Sequence, residues 1–217
     1  MDTSTARTVR TIIEAANRIV RRDGVARLTL DAVAREAGLS KGGLLYHFPS
    51  KNALIAGMTA ALLEDFEGEV RRRSGADDER TGRWLRAYVL ATADDEPGTH
   101  DEADDEPGAR DQTAALIAAI ATSSDLMEPL QQRYALWQQR VETDGLPPAT
   151  ATLVRLAADG LWLADLLGLA PPAGKLRAEV VMAMLGLTRG NQDGRDQDWE
   201  QDRGDQDRQE GKERAGP

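Results

Sequence analysis

The chain has 217 residues, no cysteine and a formal net charge of −10. Without cysteine there are no disulfides and no thiol chemistry. No apolar run approaches the roughly 20 residues needed to span a bilayer, and the opening MDTSTARTVR lacks the apolar core of a signal peptide. A cytoplasmic protein of one or two domains, with a sizeable helical core, is expected.

In chain order, the first helix is predicted from about Ala6 to Asp23, because Val9, Ile12, Ile13, Ala16, Ile19 and Val20 recur at spacings of three and four and Gly24 then ends the run. Residues 24–51, GVARLTLDAVAREAGLSKGGLLYHFPSK, are the most informative stretch. Thr29 can N-cap a short helix with Leu30, Val33, Ala34 and Ala37 on one face, and Gly38 falls where a left-handed residue stops it. Ser40 can cap the next helix, Lys41 to about Phe48, and Pro49 blocks its continuation. Two helices joined by so short a turn cross steeply, as in a helix-turn-helix. A long helix follows, with Ser50 as its cap and Leu54, Ile55, Met58, Ala61, Leu62 and Phe66 as its buried stripe, ending near Arg73.

The rest is also helical in pattern. Arg80–Ala93 turns Trp84, Leu85, Tyr88 and Val89 inward. Residues 94–111 contain DDEPG twice and read as a flexible acidic loop, in which His100 is a solvated side chain rather than a metal ligand. Helices are predicted at about Gln112–Ala121, from Pro129 to a stop at Gly145, over Ala149–Leu169 and over Lys175–Leu187. From Gly190 the composition is that of a disordered acidic tail. No segment has the period-2 alternation of a strand. The fold class is therefore all-α.

The first helix TVRTIIEAANRIVRRDG, then LTLDAVAREAGLSKGGLLYHF, then PSKNALI resemble the N-terminal DNA-binding domain of TetR-type transcriptional repressors. Many members of that family carry Tyr where this chain has Leu45, and here the Tyr follows at Tyr46. The resemblance implies three parts. Residues 1–51 would be the three-helix helix-turn-helix domain, residues 52–189 a helical ligand-binding and dimerisation domain, and residues 190–217 a tail. It further implies a homodimer that binds a near-palindromic double-stranded operator and represses transcription until a small molecule releases it. Two-fold pairing also follows from contact number, since one module touches too few bases for selective binding.

In such a module the N-terminal half of the second motif helix reads base edges in the major groove. That half is Ser40, Lys41, Gly42 and Gly43, the glycines allowing close approach of backbone to DNA. Tyr46 and His47 fit phosphate contacts, Thr29 is a cap whose hydroxyl can also meet a phosphate, and Leu45 occupies a slot that faces DNA in the family. Lys51 at the next helix start combines charge with free amide donors. Arg7, Arg10, Arg21, Arg22 and Arg27 add a basic face. The chain's acidity is compatible with this, because it is local. Residues 1–51 carry nine cations against five carboxylates, whereas residues 94–111 carry nine carboxylates against one arginine.

Trp84, Tyr88, Leu116, Ile120, Met127, Tyr134, Trp137 and Trp162 are the candidate effector-pocket residues, with large apolar walls and few polar tips. They predict an apolar or aromatic ligand with one or two hydrogen-bonding groups. Leu153, Leu156, Leu161, Trp162 and Leu166 cannot share one helical stripe, so the last two helices are expected to pair with those of a second copy. No metal, cofactor or enzymatic constellation is predicted. The competing reading is a helical ligand-binding or scaffold protein that does not use DNA.

Overall fold

The computed structural model describes residues 3–93, 109–121 and 123–189. Among these there are nine α-helices and no strand: α1 (Thr3–Asp23), α2 (Leu30–Glu36), α3 (Lys41–His47), α4 (Lys51–Gly75), α5 (Arg83–Ala93), α6 (Ala109–Ala121), α7 (Ser124–Glu142), α8 (Pro148–Leu167) and α9 (Gly174–Leu187). A single 3-10 turn, Val25–Arg27, joins α1 to α2.

Two of the predicted boundaries need correction. The acidic loop expected over 94–111 lies outside the described residues except for 109–111, and those three already belong to α6. The helix expected to open at Pro129 instead begins at Ser124, with Pro129 inside it. Tertiary burial explains the second difference. Leu126 is buried and Met127 packs on the same cluster, so the turn before the proline is held helical by its apolar contacts. The predicted acidic tail, 190–217, and His100 also lie outside the described residues.

Two apolar cores organise the chain. The first joins Ile12, Ala16 and Ile19 of α1, Val33 of α2, Leu44 of α3, Phe48, and Leu54, Ile55 and Met58 of α4. It does not stop at the head: Leu116 and Ile120 of α6 and Leu126 of α7 belong to it too. The second joins Val70 of α4, Leu85, Tyr88 and Val89 of α5, Trp137 and Val141 of α7, Val154, Ala158 and Leu161 of α8, and Met184 of α9. Helix α4 thus contributes to both.

Two buried arginines fix the second core. Arg86 donates to the Asp77 carboxylate at 2.7 Å and to the carbonyls of Thr81, Glu79 and Thr188 at 2.7, 2.7 and 3.0 Å. All of its charge is therefore met inside the fold, as a buried guanidinium requires, and its hydrogen bond holds the Asp77 carboxyl below the usual carboxylate range. Arg177 of α9 pairs with Asp165 of α8 at 2.8 Å and donates to the last carbonyl of α5, that of Ala93, at 3.0 Å. Beside Arg86, Gly82 has a φ of +69°, and a Cβ there would lie 2.2 Å from the Thr188 carbonyl oxygen. Only glycine lets the chain end of α9 close onto the start of α5.

The seating of the head on α4 depends on Gly57. A Cβ at this position would fall 2.5 Å from Phe48 Cε1, whereas at Gly68 of the same helix it would meet nothing within 4 Å. Alanine is favoured over glycine in a helix interior by about 1 kcal/mol, and overpacking costs about 1–3 kcal/mol. Gly68→Ala should therefore raise the thermal midpoint and Gly57→Ala should lower it. Circular-dichroism melts of the two variants check this, and a rise for both would show that the Phe48 ring is not held against α4.

Candidate DNA-reading face and effector cavity

The helix-turn-helix is built by local hydrogen bonds that the sequence dictates. Thr29 Oγ1 accepts from the Ala32 amide at 3.2 Å, and Ser40 Oγ accepts from the Gly43 amide at 3.1 Å. Between them Gly38 takes a φ of +68°. The Gly38 and Leu39 amides donate to the carbonyls of Arg35 and Ala34 at 3.3 and 2.9 Å, a glycine-terminated helix end of the Schellman kind. Ser50 Oγ accepts from the Ala53 amide at 3.0 Å and starts α4.

This scaffold sorts the predicted residues of α3 by face. Leu44 is fully buried, and Phe48, the C-cap residue just beyond the helix, is buried too. Ser40, Lys41, Gly42 and Gly43 are exposed, Leu45 and His47 are half-buried, and Tyr46 is 83% exposed with its ring edge-on to His47. A large aromatic left in water with its hydroxyl free is available to a partner. A Cβ at Gly42 would meet nothing, so the backbone at this point of α3 is bare.

The cations are not all free. Lys41 Nζ lies 3.0 Å from the Asp31 carboxylate, a pair exposed on both sides. Lys51 Nζ donates to the Val25 carbonyl at 3.1 Å, so it also holds the turn between α1 and α2. Arg18 and Arg22 pair with Glu36 at 3.0 and 3.5 Å and tie α1 to α2. Arg27 and Arg35 flank Thr29 along an open groove that also contains Asp31. Sequence reasoning did not single out Arg35 or Asp31 for this face. Their exposed position four residues apart on α2 was the available signal.

Of the eight candidate effector residues, five line one cavity. Tyr88, Ile120, Tyr134, Trp137 and Trp162 enclose about 280 Å³ together with residues of α4 to α8. Trp84 lines a different groove outside it, Leu116 sits in the head core, and Met127 packs against that core. The spacing pattern marks Trp84 and Leu116 as inward-facing but does not say toward which core, and Met127 precedes the helix expected from Pro129.

Sequence reasoning also missed the polar end of the cavity. Asp159 of α8 accepts from the Tyr88 hydroxyl at 2.5 Å and from Arg155 at 2.6 Å. Arg155 in turn donates to Gln138 at 2.8 Å and lies over the Tyr134 ring. Burial raises the Asp159 carboxyl above its ordinary value, and it pushes the Tyr134 hydroxyl up to about 12. Phe66, Tyr88, Tyr134 and Trp137 form a connected aromatic wall, with ring centroids 4.9–5.8 Å apart. On its far side the Trp137 indole donates to Glu67 of α4 at 2.7 Å, and Arg133 reaches the same carboxylate at 2.5 Å. Burial acts to raise Glu67, but these donors hold it below its ordinary value. The signal for Asp159 was a carboxylate four residues after Arg155 inside a mostly apolar helix. Among the described residues no helix is long and apolar enough to cross a membrane.

Comparison with known proteins agrees with this architecture. The family model for bacterial regulatory proteins of the tetR family matches residues 12–58, and the model for the tetracyclin repressor-like C-terminal domain matches residues 82–189. Over 68 residues the chain is 38% identical to the HTH-type transcriptional regulator TtgR of Pseudomonas putida, a match covering 31% of this chain and 32% of TtgR. The chain thus spans about a third of the length of that relative. In fold it is similar to a TetR transcription regulator from Haloarcula marismortui, with a TM-score of 0.62, 13% identity and coverage of 84% and 97% of the two chains. It is also similar to the multidrug binding protein EbrR complexed with ethidium, with a TM-score of 0.58, 20% identity and coverage of 83% and 98%. The chain belongs to the TetR family of transcriptional regulators.

The pairings on the head give a directional test. Asp31→Asn releases Lys41 without touching the core, so DNA binding should steepen in its salt dependence by about one unit of log–log slope. Lys41→Ala should relax preference at one base position at a cost of about 1–3 kcal/mol. Lys51→Ala should weaken binding on all sequences, reduce the slope by about one unit, and also lower the thermal midpoint, because it releases the Val25 carbonyl. Titrations at several salt concentrations on matched and altered DNA decide between these. Wild-type behaviour in all three variants would remove this face from DNA reading.

Proposed function

We propose that the chain is a ligand-responsive repressor that binds a near-palindromic operator as a homodimer, in the cytoplasm. The observation that carries the DNA role is the bare N-terminal half of α3. Ser40, Lys41, Gly42 and Gly43 stand exposed on a doubly capped turn, while Leu44 and the adjoining Phe48 anchor that segment from behind. A helix held this way can enter a major groove without rearranging its own fold.

Dimerisation is supported by α8 and α9. Leu161 turns inward and Trp162 faces the cavity, but Leu153, Leu156, Leu167, Leu176, Met182 and Leu187 are exposed on the same two helices. That is more large apolar surface than an isolated domain ordinarily leaves in water. An isologous contact between these helices and their symmetry mates would cover it.

Ligand response is supported by the walls of the cavity. Ile120 of α6 lines it and also belongs to the head core, while α4 lines it through Leu62, Leu63 and Phe66. A ligand that favours one spacing of α4 against α6 over another would shift the position of the heads, and only such differential affinity can do so. The cavity's size, its aromatic walls and its internally paired carboxylate favour an uncharged, flat, apolar ligand with one or two hydrogen-bonding groups. EbrR, of similar fold, is a multidrug binding protein seen with ethidium, which agrees with a planar aromatic guest in shape but, being a cation, not in charge.

Three measurements test this reading. At micromolar concentration the mass in solution should be that of a dimer, and Leu153→Glu with Leu176→Glu should halve it. Aromatic compounds that quench tryptophan fluorescence should lower operator affinity in the same concentration range, and Trp137→Phe should abolish most of the quench. Quenching with no loss of operator binding would leave a pocket uncoupled from the head, and the ligand-switch reading would fail.

A further inference from the structure

A second groove lies outside the effector cavity, between α4, α5 and α7. It measures about 250 Å³, with Phe66, Val70, Trp84 and Trp137 as its apolar floor and Arg71 and Arg140 on its walls. Leu136 stands 59% exposed at its edge. An adjoining hollow shares Arg140 and adds Arg80 and Arg83. The guanidinium groups of Arg71, Arg80, Arg83 and Arg140 make no hydrogen bond or ion pair among the described residues. The nearby carboxylates are already engaged. Glu67 accepts from Arg133 and the Trp137 indole, Asp144 accepts the backbone amides of Trp84 and Leu85, and Asp77 is held by Arg86. The result is an aromatic floor, formed by the outer edge of the second core, with a positive rim whose guanidinium groups act on neighbouring carboxylates only at a distance. Its chemical complement is an acidic segment carrying an aromatic side chain.

The chain contains one such segment. Residues 196–202 read DQDWEQD, with Trp199 between Asp198 and Glu200, in a stretch (190–217) of nine carboxylates against five cations. The point where the described chain ends places it. The Thr188 carbonyl accepts from Arg86 and closes onto Gly82, two residues from Trp84. The ten residues from Arg189 to Trp199 can span up to about 35 Å, so the groove is well within reach. Attachment to the same chain gives the segment a high effective concentration, so weak complementarity suffices.

We propose that residues 196–202 dock in the groove of their own chain, Trp199 against Trp84 and Leu136, with Asp198 and Glu200 toward Arg71 and Arg140. Trp137 lines both the groove and the effector cavity. The docked segment therefore backs the same aromatic wall that a ligand would meet from inside. This docking is independent of whether that cavity holds a ligand.

The test uses the full chain, which has no native cysteine and four tryptophans. A nitroxide is attached at Gln197→Cys in protein carrying ¹⁵N-labelled indoles, and the Trp84 indole resonance is compared in the oxidised and reduced states. Docking predicts that the oxidised label removes most of the Trp84 intensity at low salt. Salt at about 0.5 M, where charge pairs are screened within a few ångströms, should restore it, as should the pair Arg71→Glu and Arg140→Glu. An unchanged Trp162 resonance in that double variant confirms that it is folded. Full Trp84 intensity at low salt would overturn the proposal, as would broadening that survives both salt and charge reversal. Equal broadening after nitroxide-labelled, isotopically unlabelled chains are equilibrated with unmodified ¹⁵N-labelled chains would place the segment on the partner copy and overturn docking on its own chain.

Discussion

One rigid helix belongs to two cores, and the rest of the molecule depends on that. The N-terminal half of α4 places Leu54, Ile55 and Met58 in the head core, while its C-terminal half packs Leu63, Phe66 and Val70 into the second. A straight helix of 25 residues cannot rotate one half without the other, so the orientation of the head is fixed by whatever fixes α4. The fixing contacts are specific. The Phe48 ring sits on bare Gly57, Lys51 holds the Val25 carbonyl, and Glu67 is gripped by Arg133 and Trp137 from α7. The first two bind α4 to the head, and the third binds it to the wall of the cavity.

Helix α6 gives this spine a second neighbour. Sequence patterning treats α6 as part of the C-terminal domain, yet Leu116 and Ile120 are buried in the head core. A boundary at residue 51 therefore divides the chain by motif rather than by packing. The apolar interior of the head runs on through α4 to Met58 and takes a wall from α6. Such sharing supplies a route of packed side chains between the cavity and the head, which the proposed ligand response would use. Packed cores shift between discrete arrangements instead of deforming continuously, which favours an all-or-none response.

What was legible in the sequence was local. Caps, the Gly38 turn and the buried stripes of α1, α2 and α3 follow from spacing and from the hydrogen-bonding habits of Thr, Ser and Gly. Those elements lie where the sequence predicts them, within a few residues at their ends. What was illegible was tertiary. No periodicity announces that Arg86 collects four acceptors from two separate segments, that Asp159 closes one end of an aromatic cavity, or that Gly57 exists to receive Phe48. Pro129 shows the same limit from the other side. Its local preference is for a helix start, and burial of Leu126 overrides it. Trp84 and Leu116 were legible as inward-facing residues, but a chain with two cores and an outer groove offers three insides, and one-dimensional spacing cannot choose among them.

Charge is paired at both sites, but only on the exposed head can the carboxylate be exchanged readily. On the head, Lys41 rests on Asp31 in an exposed pair, which water and salt weaken readily, so a phosphate or a base edge can replace the carboxylate at little cost. In the cavity, Asp159 rests on Arg155 and Tyr88, and there both charged side chains are largely withdrawn from water. Removing either partner would leave an uncompensated charge, which costs far more than the exposed exchange does. Under the proposed function, an ionic guest would compete with that pair, whereas a neutral guest would leave it whole. The same chemistry of paired charge thus leaves the head's cation open to exchange and the cavity's carboxylate already neutralised.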